Sequence, residues 1–135
     1  MPAIIVIEES VRTMFTGSAQ LTEIADANIT HGYRLQSNTT LPALTFECER
    51  PTEETIGISP LTSVSVEARI IAETTAAALA LLDDVRAAAV PGSYASAVFD
   101  AVIWNGHTVS PATVGEGDEN EPAEVVCNFD IYYRL

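Results

Sequence analysis

The sequence predicts an α+β fold: a mixed, mostly antiparallel sheet of about four to five strands, with two main helices packed on one face. Three observations predict it. Apolar residues recur at helical spacing in two separate stretches, they alternate at a period of two in three others, and Gly or Pro punctuates the boundaries between them. The 135 residues fit one domain over 1–135, and 47% hydrophobic against 19% charged residues lies in the globular range. A domain of this length buries about two thirds of the surface its unfolded chain exposes, which is enough for a core.

Ile4, Ile7, Val11, Met14 and Phe15 sit at helical spacing, with Pro2 ahead and Gly17 just past the end where a left-handed cap would lie. This predicts an amphipathic helix over 3–16. Ser18 can cap a shorter helix carrying Leu21 and Ile24, and 28–35 reads as a short extended piece. From Leu41 the period changes: Leu44, Phe46 and Cys48 alternate with Thr45, Glu47 and Glu49, as in a strand with one buried face. Pro51 ends it, and 51–60 reads as a polar connection containing Gly57. Val64, Val66, Ala68 and Ile70 then alternate with Ser65, Glu67 and Arg69, predicting a second strand antiparallel to the first.

Thr74 or Thr75 can cap an alanine-rich helix that reaches Ala89 and stops at Pro91-Gly92. Beyond it, 101–104 and 107–110 flank Asn105-Gly106, the strongest short-range signal for a two-residue type I′ hairpin. An acidic loop over 111–122 follows. The chain closes on Val125, Cys127, Phe129, Ile131, Tyr133 and Leu135, alternating with Val126, Asn128, Asp130, Tyr132 and Arg134, which predicts a strand paired on both edges.

Charge narrows the function. Asp and Glu total 19 against six basic residues, all Arg, for a net charge of −13. Nucleic-acid affinity comes from cations that neutralise phosphates, and these six are scattered singly, so the chain is not built to grip DNA or an anionic membrane. An acidic protein can still surround DNA without holding it. The apolar N-terminus lacks a basic region and meets Glu8 and Glu9 at once, unlike a signal peptide. No apolar run approaches the roughly 20 residues of a membrane span.

No catalytic constellation is visible, so the reading is non-enzymatic, with no cofactor and no metal. His31 and His107 read as exposed or simply hydrogen-bonded, and no serine elbow, zinc-binding His-Glu-x-x-His helix or Lys nucleophile exists. Cys48 and Cys127 lie far apart inside alternating runs and read as buried free thiols. Both face inward, so a disulfide between neighbouring strands is the alternative. The acidic loop, with Glu116, Asp118, Glu119 and Glu121, reads as solvated, as a lumen or partner contact, or as a cation site, because calcium takes hard oxygens on glycine-bearing turns. Alternation puts Tyr133 inward and Tyr132 outward, the latter on an exposed sheet face or in a subunit contact. Glu67, Arg69 and Arg134 share that outward side and, with Tyr132, form a candidate subunit interface.

The order of elements resembles the tail completion, or tail terminator, proteins of long-tailed phages and of phage-derived gene transfer agents. The resemblance rests on the N-terminal amphipathic helix, Leu41-Pro42-Ala43-Leu44-Thr45-Phe46 opening the first long strand, and Ser65-Val66-Glu67-Ala68-Arg69-Ile70-Ile71-Ala72 running into the helix 75–89. The closing Val126-Cys127-Asn128-Phe129-Asp130-Ile131-Tyr132-Tyr133-Arg134 completes it. It spans nearly the whole chain through patterns of residue class, without a catalytic signature. It implies a virion subunit that assembles with itself into a hexameric ring at the head-proximal end of the tail. Such a ring caps the tail tube protein and meets a head-side connector or stopper, while DNA passes through its bore. Alternatives are a neck or head-tail connector subunit, a tail tube subunit and, in a different class, a small-ligand or cation-binding domain. Calorimetry with calcium tests the last: no heat at millimolar ion removes the cation site.

Overall fold

The computed structural model describes residues 3–32, 41–49, 52–56, 59–110 and 123–135. Helix α1 (Ala3–Thr16) is followed by single 3-10 turns at Ala19–Leu21 and Asp26–Asn28 and by strand β1 (Ile29–His31). Strands β2 (Ala43–Cys48), β3 (Thr52–Ile56) and β4 (Ser59–Ala72) lead into helix α2 (Thr75–Ala88). The chain ends with β5 (Gly92–Tyr94), β6 (Ala97–Ser110) and β7 (Ala123–Arg134). The strands form one sheet in the order β1-β2-β4-β7-β6-β5, with β3 also on β4. Among the described strands only β1 and β2 pair in parallel. The fold is the predicted α+β class with both helices on one face.

Side-chain alternation explains that arrangement. Val64, Val66, Ala68 and Ile70 of β4 and Val125, Cys127, Phe129 and Ile131 of β7 are all buried on the inner face. On α1, Ile7, Val11, Met14 and Phe15 form the matching stripe; on α2 it is Ala78, Leu81, Leu82, Val85 and Ala88. Phe15 lies at the centre, its ring 6.1 Å from Phe46 and 6.2 Å edge-on to Phe129. Phe129 stacks on Trp104 at 5.8 Å, and the Arg86 guanidinium of α2 sits 5.5 Å above the same indole. One aromatic cluster thus joins both helices to three strands.

The caps follow local chemistry. Thr74 is the N-cap of α2, its hydroxyl accepting from the Ala77 amide, and Ser18 accepts from the Gln20 amide at the first 3-10 turn. Arg12 ties α1 to the segment before β1: its Nε donates to the Ile29 carbonyl and its Nη2 to that of Asp26, both at 3.0 Å. Gly17 does not adopt the left-handed cap its position suggested. Its amide donates to the Thr13 carbonyl, and a Cβ there would lie 3.0 Å from that oxygen, so close approach explains the glycine.

Three further readings are corrected. Asn105-Gly106 is not a hairpin turn, because both of its flanks belong to β6 and pair with the same strand. Trp104 lies opposite Phe129 and Gly106 opposite Asn128, leaving Asn105 as an extra residue in a β-bulge. Gly106, at φ +141°, uses its conformational freedom for the bulge. The real two-residue turn is Ala95-Ser96 between β5 and β6, with Ala95 in left-handed geometry at φ 51°. The stretch 51–60 is not a plain connection either: β3 folds back on residues 59–63 of β4, alongside the edge that β2 occupies farther along. These additions raise the sheet from four or five strands to seven. β2, in turn, is buried on both faces at its start, since Ala43 and Thr45 are as inaccessible as Leu44 and Phe46.

Gly106→Ala isolates the bulge, because open space surrounds the would-be Cβ and only the backbone resists. It should cost about 1–3 kcal/mol, read as a lower urea midpoint at unchanged slope.

Candidate functional site

The outer face of the sheet carries two arginine–carboxylate groups. At one end, Arg69 Nη1 bonds Glu124 Oε1 at 2.8 Å, and its Nη2 lies 3.7 Å from Glu67 Oε1. β4 and β7 create this cluster by placing Arg69 opposite Val126, one alternate position from Glu124. At the other end, Arg134 holds both oxygens of Asp100, Nε to Oδ2 at 2.9 Å and Nη2 to Oδ1 at 2.9 Å. Between them, Ser65 Oγ donates to Asp130 Oδ1 at 2.6 Å, and half-buried Tyr132 lies opposite Ser63 and Ala101.

Glu67, Arg69, Tyr132 and Arg134 therefore share one face without converging. Val126 to Tyr132 is six positions along β7, roughly 20 Å at the usual rise. The two arginines have intrachain carboxylate partners, and Asp100 and Glu124 were not singled out from sequence. Only the β4–β7 and β6–β7 registers reveal them. Glu116, Asp118, Glu119 and Glu121 lie outside the described residues, on the connection from β6 to β7.

Carboxylate, imidazole and thiol come near one another at the β1–β2 end. His31 Nε2 is 3.3 Å from Glu8 Oε1, and its ring centre lies 5.5 Å from that of Phe46. Both cysteines are free. Burial, then Glu8 and Glu47, push the Cys48 thiol up to about 12. Burial likewise pushes Cys127 up to about 12, and its thiol donates a hydrogen bond to the Ala68 carbonyl. A reactive cysteine needs the reverse, a thiolate stabilised by nearby positive charge. Both thiols stay protonated at neutral pH.

A shallow groove between the ends of α1 and α2 is lined by Thr13, Met14, Gly17, Ser18, Val90 and Tyr94. Its lining offers hydroxyls and apolar surface, without carboxylate, imidazole or thiol. Among the described residues no group of three or more His, Cys, Asp or Glu side chains is placed to hold a metal. No described helix is long and apolar enough to cross a membrane.

The Asp100–Arg134 pair has a titration signature. The hydrogen bonds from Arg134 hold the Asp100 carboxyl below its ordinary value, over a smaller opposing effect of desolvation. A depressed acid stabilises the fold above its unfolded value, and that contribution is lost as pH falls through the folded one. Arg134→Ala should move the Asp100 titration upward toward the ordinary carboxylate range, followed by carbon-detected NMR, with the fold intact because both groups are exposed.

No family model and no curated protein matches the chain. Its fold is similar to that of a chain in the virion of a native gene transfer agent particle, with a TM-score of 0.71 at 9% identity over 97% of each chain. At that identity the similarity is one of fold.

Proposed function

We propose that the chain is a non-enzymatic structural virion protein that forms a ring, caps the tail tube and joins it to the head-side connector. The observation that carries this reading is the likeness, over 97% of both chains, to a component of a gene transfer agent virion. The sequence resemblance to tail terminators supplies the finer role, the hexameric state and the position at the head-proximal end of the tail.

Electrostatics supports the same reading. Each copy carries −13, and the four described arginines are engaged within the chain. Arg12 donates to backbone carbonyls, Arg69 and Arg134 meet carboxylates, and Arg86 covers Trp104. A ring of such subunits would let DNA pass through its bore by repelling phosphate, with no need for affinity. The interior offers thiols held protonated in place of an activated nucleophile, so function falls to the surfaces between copies.

Negative-stain microscopy of the purified protein should show single rings. Long cylinders would assign a tail tube role instead, and monomers alone would remove the ring. Because copies repel one another, assembly followed by sedimentation should strengthen as salt rises and the Debye length shortens to about 10 Å at 0.1 M. Dissociation over that range would contradict the repulsion argument.

A further inference from the structure

β6 is bonded to β7 along almost its whole length, but β5 covers its other edge only from Ala97 to Phe99. From Asp100 to Ser110 no described strand pairs with that edge. Exposure follows: Ile103 is 48% and Val109 39% exposed, two of the few described large apolar side chains so open to water. From Ala101 to Ser110 the sequence has no Asp, Glu or Arg. An edge of this length, without a carboxylate or arginine, is a template for another strand unless something blocks it. The bulge at Asn105 bends the edge without removing it, since Ala101–Trp104 and Gly106–Ser110 are each in regular register.

We infer that the β6 edge from Ala101 to Ser110 is where a second copy of this chain adds a strand. The identity of the occupant rests on the ring reading above. Two observations favour a copy joining head to tail. The opposite end of the same sheet also presents open edges, since β3 pairs only with β4 and β1 only with β2 among the described strands. Two different edges at opposite ends give a heterologous contact, the kind that closes into a ring. Charge selects the same surface, because copies carrying −13 each approach best where one side bears no carboxylate, and β3 itself carries Glu53 and Glu54. Backbone hydrogen bonds would supply affinity, and Ile103 and Val109, on opposite faces of β6, would be covered by the added strand's neighbours.

The test is sedimentation velocity on wild type, on the double variant Ile103→Glu with Val109→Glu, and on a charge-matched control, Leu79→Glu with Val90→Glu. The control alters equally exposed apolar residues away from the edge. The β6 variant should need at least about tenfold more protein to assemble, with the control assembling as wild type. In wild type, hydrogen exchange at the amides of residues 101–110 should slow on assembly, a readout that needs no variant. Assembly of the β6 variant at wild-type strength, an equal loss in the control, or unchanged exchange would overturn the inference while leaving the ring intact. A wild type that never assembles would overturn both.

Discussion

The pairing of β4 with β7 is the constraint on which the rest of the molecule depends. Thr62 to Ala72 runs antiparallel to Tyr133 to Ala123 without a break in register. Because side chains alternate, this one alignment decides which half of each strand meets the helices. It turns Val66, Ala68, Phe129 and Ile131 inward and leaves Glu67, Arg69, Asp130 and Tyr132 on the other side. A slip of one residue would invert one strand relative to the other, turning either Glu67 and Arg69 or Asp130 toward the helices. The register is therefore held by the cost of burying charge as much as by its hydrogen bonds.

That division also settles where chemistry can occur. The buried face is apolar apart from thiols and a few hydroxyls, and burial keeps both thiols neutral. The described ion pairs lie on the outer face and the rim, half-buried at Arg69 and exposed at Arg134. Glu8 and His31 meet at the edge of the sheet, beside Phe46, with no activated nucleophile next to them. The shape and charge of the surface suit the contact role proposed above.

β6 shows how one local solution has a distant consequence. It is as long as β4, and the bulge at Asn105-Gly106 lets it stay on β7 where a hairpin would have turned it back. A hairpin at that point would have covered the edge with its own second arm. With the bulge, no described strand covers the edge beyond Phe99, because the tight turn at Ala95-Ser96 brings β5 across only its first residues.

The sequence by itself determined the α+β class, both long helices, the inward faces of β2, β4 and β7 and the net charge of −13. Periodicity and net charge are properties of the chain, needing no knowledge of what lies opposite. Asn105-Gly106 was ambiguous in principle, since a hairpin turn and a bulge both use the same glycine freedom, and only β7 lying opposite both flanks decides between them. β3 and β5 were hidden for a related reason: three to five residues are too few for alternation to register. The partners of Arg69 and Arg134 were illegible because Glu124 and Asp100 lie 55 and 34 positions away. Tertiary register alone brings them together, and it alone decided which strand edge no described strand covers.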